Sequence, residues 1–355
     1  MKKLGVKGLI LLLVVGGAAL AVSASATASR KTTTQVCVLL PDTQSSVRWQ
    51  QFDLPLLTAA FQKAGVTASI QNALGSAATQ QTQAQNCLAA GATVVIETAL
   101  DAGSAASIEK LFTDNGGKAI DYDRQVVGGT ASVYDTFDGK LVGEAQASGV
   151  VAAMKANHTY AKSSIVAQLW GGNTDQNAFW FQSGNIAVLN PLFKKHKLTK
   201  GPAKFVPGWD ANNAATIYKS MLTKTHSKIA GVIAANDNIA GAVVADEKAK
   251  HLKPVPLSGQ DATAQGIQYI ISGWQTGTVY KKVKLEANAA AAAAIALLAH
   301  KKPVTNGYRM NGSKKEPTLT LPVTWITKKN YKTLFSDGWL KKSDVCVGQY
   351  KKYCK

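Results

Sequence analysis

Short apolar runs that end in charged or amide side chains recur along this chain, and they limit the folds open to it. VCVLLP (36–41), TVVIETA (93–99), KAIDYDR (118–124), GVIAAND (231–237) and VPLSGQDA (255–262) read as strands of this kind. VTASIQNA (66–73), SVYDTFD (132–138), SIVAQLWGG (164–172), KFVPGWD (204–210) and GTVYK (277–281) read as further strands. Helix-like stretches stand between them, including 140–156, 177–189, 211–223, 238–250 and an Ala-rich run at 283–300. Strands alternating with helices on short connections predict an α/β fold with largely parallel sheets, and two such runs predict two doubly wound lobes. Ligands of these sheets bind beyond the carboxyl ends of the strands.

The polar residues fall at those ends. Arg48 and Trp49 follow the first strand, Asp123 and Arg124 end the fourth, and Asn236, Asp261 and Lys281 close later ones. Asp and Asn accept protons from hydroxyls, while Arg, Lys and Asn donate to hydroxyl oxygens. Charged partners strengthen such bonds. The C–H face of a pyranose suits a flat ring, which Trp49 and Trp209 supply. The set therefore fits a neutral polyhydroxylated ligand. Competing roles are core packing for Trp209, a surface ion pair for Asp123 and Arg124, and helix N-capping for Asn236 and Asp261. The chain contains no GxSxG elbow, no HExxH and no GxxxxGK[ST] loop, and its glycine pairs form no GxGxxG. No enzyme and no cofactor is expected.

The first 28 residues read as a secretory signal: Lys2, Lys3 and Lys7, an apolar run from Gly8 to Val22, then Ala24-Ser25-Ala26 and Ala26-Thr27-Ala28 as cleavage sites. The alternative is a retained anchor, although the apolar run falls short of the roughly 20 residues that span a bilayer. Export makes the four cysteines disulfide candidates. Cys346 and Cys354 lie close together in a basic tail, so Cys346–Cys354 and Cys37–Cys87 are the expected bridges. Zinc is the competing reading, but there is no CxxC and the five histidines lack ligand spacing, so no metal is expected.

At this point the chain resembles the type I periplasmic sugar-binding proteins of ABC transporters, most closely the xylose-binding proteins. VRWQ (47–50), DYDR (121–124), YDTFDGKLVGEAQA (134–147), GWDANNA (208–214), AANDNIAG (234–241), SGQDATAQGI (258–267) and TVYK (278–281) carry the resemblance, in order, from about residue 35 to 300. It implies two lobes joined by three hinge crossings, with a monosaccharide buried between them and an ABC permease as partner. It places Arg48, Asp123, Arg124, Asn177, Asn236, Asp261 and Lys281 as hydrogen-bonding residues and Trp49 and Trp209 as stacking rings. The expected lobes are 29–126 plus 283–312 and 127–282 plus 313–340, followed by a basic tail at 341–355. Within NTDQNAFWFQSG (173–184), Asp175, Asn177 and Gly184 match, but Phe179 and Gln182 replace basic residues. Phe179 or Trp180 is expected either as a third apolar wall or as buried helix. The family function is to deliver sugar to an importer; presenting sugar to a chemoreceptor or receptor kinase is the alternative.

The net charge of +19 also admits nucleic acid as a partner. Its location argues otherwise. Residues 328–355 hold eight lysines against Asp337 and Asp344, and five more lysines cluster at 194–204, both away from the proposed cleft. The excess reads as solvated surface, attracted to anionic lipid or envelope polymers. A monomer without nucleic acid is expected.

Overall fold

The computed structural model describes residues 33–354. The first 28 residues, read above as a signal, lie outside them. Among the described residues no helix is long and apolar enough to cross a membrane.

The chain begins in a first sheet with β1 (Val36–Leu40), β2 (Ala68–Asn72), β3 (Val94–Glu97), β4 (Lys118–Tyr122) and β5 (Val133–Phe137). It then builds a second lobe on β6 (Ile165–Trp170), β7 (Thr199–Phe205), β8 (Ile229–Ala234) and β9 (Gly277–Lys281). It returns to the first sheet with β10 (Gly307–Asn311) and β11 (Lys314–Leu321), and goes back to the second lobe with β12 (Val323–Thr327). The first sheet has the order β10-β11-β5-β4-β3-β1-β2 and is parallel except for β10 against β11. In the second lobe β6 lies between β7 and β8, and β9 pairs with β12; single bridges through Leu257 and Gln260 run between these two parts.

Helices cover both faces of the first sheet, which is why β1 is apolar at every position. Val36, Val38 and Leu40 pack with Leu57 and Phe61 of α1 (Leu54–Ala64) and with an Ala-rich helix, Val283–Leu298. Cys37 and Leu39 face the other way, onto α2 (Ala77–Ala89) and α3 (Ala102–Asp114). The Cys37–Cys87 disulfide joins β1 to α2 on that face. In the second lobe α4 (Gly139–Ala156) and α5 (Gln176–Lys194) approach so closely that a Cβ at Gly184 would lie 2.1 Å from the Lys140 carbonyl oxygen. Glycine is required there for backbone-to-backbone packing.

Strand pairing moves two of the three expected lobe boundaries, the first and the third. Val133 pairs with Ile120 and Thr318 with Tyr134, so β5 and β11 belong to the first sheet, not to the second lobe. The chain completes one more first-lobe strand before its first and third crossings, near residues 138 and 322, while the second stays near 282. The expected tail is also packed. Val345 is fully buried, and Cys346, bonded to Cys354, joins an apolar cluster with Ile267 and Ile271 of the helix Ala264–Ser272.

Candidate functional site

The carboxyl ends of strands from both lobes converge on a cavity. All nine residues expected at a site line it: Arg48, Trp49, Asp123, Arg124, Asn177, Trp209, Asn236, Asp261 and Lys281. Ser45, Ser46, Asp175, Phe181 and Gln260 complete the wall.

The first lobe brings the charges. Arg48 is 2% exposed, and Asp53, Asp123 and Glu286 surround its guanidinium. Four of its five N–H groups are engaged by them, leaving one on Nη1. Arg124 is less committed. Its Nη1 donates to the Ala99 carbonyl at 3.0 Å and its Nη2 to Ser45 Oγ at 2.9 Å. Its Nε lies 3.0 Å from Asp175 Oδ2, but that N–H is not aimed at it, so the two act as paired charges. Neither Asp123 nor Arg124 is a surface residue: they are 4% and 6% exposed.

Five contacts draw the lobes together around the cavity. Asn236 Nδ2 donates to the Ser45 carbonyl at 3.0 Å, and Ser46 Oγ donates to Asp261 Oδ2 at 2.9 Å. Asn177 Nδ2 donates to the Asp123 carbonyl at 2.8 Å, and Lys281 Nζ to Asp123 Oδ2 at 2.9 Å. The Arg124–Asp175 pair is the fifth. Burial raises the Asp123 carboxyl, but Lys281 and Arg48 outweigh it and hold the group well below the ordinary carboxylate range. Burial dominates at Asp261 and Asp175 and raises both, against Lys281 and Arg124 respectively.

Backbone strain gathers here. Asp123, Trp209 and Asp261 have φ of 61°, 57° and 94°, a region unfavourable to residues with a Cβ. Three buried polar atoms at the wall have no partner among the described residues: Arg124 Nε, Trp209 Nε1 and Gln260 Oε1. The carboxylates are tied to cations or hydroxyls, so the wall reads as a hydrogen-bonding cage.

The competing roles sort residue by residue. Asn236 does cap a helix, its Oδ1 accepting from Ile239 N at 3.0 Å, while its amide still reaches Ser45. Asp261 is not a cap, because Thr263 caps that helix. Trp209 is both core and wall: it sits edge-on to Phe181 at 6.0 Å, and a Cβ at Gly171 would lie 2.1 Å from its ring. Trp49 lines the cavity with the Arg48 guanidinium 4.3 Å from its ring centre. The expected third apolar wall is Phe181, not Phe179 or Trp180. Phe179 is 38% exposed and packs on Phe205, because a helix turns adjacent residues about 100° apart. Asp175 caps α5 through the Asn177 N–H at 2.9 Å. Ser45, Ser46 and Gln260 sat beside recognised positions, but their residue types carry little signal alone.

A family model described as "periplasmic binding protein domain" matches residues 36–302. The D-xylose-binding periplasmic protein of Escherichia coli K12 is 32% identical over 301 residues, covering 84% of this chain and 88% of that one. The multiple sugar-binding periplasmic receptor ChvE of Rhizobium radiobacter is 26% identical, covering 85% and 89%. The crystal structure of a carbohydrate transporter solute-binding protein from Chloroflexus aurantiacus, in complex with D-glucose, superposes with a TM-score of 0.79 at 28% identity, covering 87% of this chain and 97% of that one. This chain belongs to the periplasmic binding protein family, as a type I sugar-binding member.

Proposed function

We propose that the chain is an exported, non-enzymatic binding protein that captures a monosaccharide, with D-xylose or a similar aldose as ligand, and delivers it to the membrane subunits of an ABC importer. The observation that carries this reading is the cavity between the lobes, lined by braced charges, amide side chains and two tryptophans. Arg124, Lys281, Asn177 and Asn236 donate to sugar oxygens, Asp123 and Asp261 accept from hydroxyls, and Trp49 and Trp209 cover the C–H faces. Arg48 contributes its one remaining N–H and chiefly fixes Asp123.

Capture follows from differential affinity. Sugar that meets one lobe gains contacts from the other only when the hinge closes, so it favours the closed arrangement. Because the ion pairs already hold the polar side chains in place, little ordering is left for binding to impose. The protein works as a monomer, without nucleic acid. A thermal-shift panel of monosaccharides, followed by calorimetry, tests the reading. D-Xylose or a close aldose should raise the unfolding midpoint by mass action. A panel without any shift overturns it. The relative from Rhizobium radiobacter is described as a receptor, which favours a second reading in which this chain presents sugar to a sensor. Co-purification with a permease or with a receptor separates the two.

A further inference from the structure

The segment after residue 327 lies beyond the stretch matched by the family model, yet it reaches the back of the cavity from both lobes. Trp339 stands at that point, 8% exposed. On one side its ring stacks on Phe52, with centroids 3.8 Å apart and planes 21° apart. Phe52 belongs to the single π-helical turn Trp49–Asp53, which presents Trp49 to the cavity and Asp53 to Arg48. On the other side Trp339 Nε1 donates to the Ala262 carbonyl at 2.9 Å. Ala262 follows Asp261, and both hold left-handed φ, 48° and 94°. A second cavity shares Ser46, Arg48 and Asp261 with the first and has Phe52 and Trp339 in its wall.

Trp339 is itself held firmly. Its N–H donates to the Leu334 carbonyl at 2.9 Å, its ring lies 5.5 Å from Tyr280, and Asp337 pairs with Lys282 at the second crossing. Farther on, the Cys346–Cys354 bridge closes the chain end, and Gln268 Nε2 donates to the Asp344 carbonyl at 3.1 Å. One side chain from a pinned segment thus touches the turn behind Arg48 and Trp49 in one lobe and the turn carrying Asp261 in the other.

We propose that Trp339 is a positioning residue for ligand capture: it braces these two turns against each other and so sets the affinity of a cavity it does not enter. The proposal rests on the sugar-binding reading for its effect on affinity. The brace itself does not. Left-handed backbone at Asp261 and Ala262 is unfavourable unless its surroundings enforce it, and the Trp339 hydrogen bond enforces it from behind. The aromatic stack does the same for the Trp49–Asp53 turn.

Hydrogen exchange by mass spectrometry on the full chain, with D-xylose calorimetry and stopped-flow release, tests it. In Trp339→Ala, peptides covering 45–56 and 258–265 should exchange faster than in wild type while the remaining peptides do not, and D-xylose should leave about tenfold faster. Trp339→Phe keeps an aromatic ring on Phe52 but loses the donor to Ala262. It should therefore restore protection at 45–56 and leave 258–265 fast. Uniform loss of protection along the chain, or none, overturns the brace. If Trp339→Ala does not fold, the split in Trp339→Phe decides alone. The expected exchange pattern with unchanged D-xylose affinity and release overturns the positioning role. Wild-type protein that binds no monosaccharide rejects the sugar-binding reading instead, and the exchange data still decide the brace.

Discussion

Asp121 and Asp123 stand two residues apart, both nearly or fully buried, in opposite electrostatic surroundings. A regular strand would send both side chains to one face. The left-handed backbone at Asp123 breaks the alternation and turns its carboxylate into the cavity, onto Arg48 and Lys281. Asp121 instead meets Glu109 and Glu316, with the Val126 N–H at 2.7 Å as its backbone donor. Burial and its acidic neighbours push Asp121 well up, while Asp123 is held down by cations that outweigh burial. The same holds for Glu97, fully buried with neither carboxylate oxygen partnered among the described residues and raised by burial and Glu109. Burial alone pushes a carboxyl toward its neutral form, and nearby cations favour the charged one.

The largest effect should come from Asp123→Ala. It leaves Lys281 and part of Arg48 facing a gap, at a cost of about 3–5 kcal/mol in denaturant unfolding. D-Xylose affinity should fall by about a hundredfold or more in calorimetry. Wild-type affinity would remove Asp123 from the site. Asp261→Ala should also weaken binding by about a hundredfold, with less loss of stability because, among the described residues, Asp261 is held by Ser46 and Gln260 and not by an ion pair.

Trp209→Ala ranks next. Its core role predicts a loss of about 3–5 kcal/mol in stability. Its cavity role predicts an affinity loss of only about tenfold. An unchanged dissociation constant would make Trp209 core alone.

The pH profile sharpens the comparison. Burial raises Asp237 to about 7 despite its bond from Gln275, and raises Glu247 to about 7 despite Tyr218. Groups raised in the folded state bind more protons there than in the unfolded chain, so stability falls as pH rises from about 4 to 7. Asp123 has the opposite sign: its contribution is present above about 4 and is lost as pH falls further. The thermal midpoint should therefore rise from pH 7 toward about 5 and fall below about 4. Asp237→Asn should flatten the upper limb, and an unaltered slope would refute the assignment to Asp237.

The smallest effect belongs to Asp121→Asn. Burial and its acidic neighbours already push this carboxyl toward its neutral form, so a neutral amide should cost little, and stability should stay within about 1 kcal/mol of wild type. A loss comparable to that of Asp123→Ala would collapse the contrast.

Much of the site was legible because strand ends are local events. An apolar run followed by Asn236, Asp261 or Lys281 can be read from a few neighbouring residues, and the rule that ligands sit beyond those ends did the rest. The lobe boundaries were not legible at this level. The segments 132–138 and 314–321 look like any other strands, and only their pairing partners assign them to a sheet. Phe181 was missed beside Phe179 and Trp180 because three adjacent aromatics on a helix face different ways, and composition does not say which faces the cleft.

The amino-acid order by itself determined the alternation of strands and helices and the polar strand ends, since each depends on spacing along the chain; the closeness of Cys346 to Cys354 favoured one of three possible cysteine pairings, and the fold supplies it. Tertiary structure decided which charges are spent. Arg48 meets Glu286 across 238 residues, and Asp123 meets Lys281 across 158. It also placed Trp339 behind a cavity whose walls lie in two lobes. The physical reason is that burying a charge is tolerable only against its counter-charge, and the partners here are supplied by the fold from far along the chain.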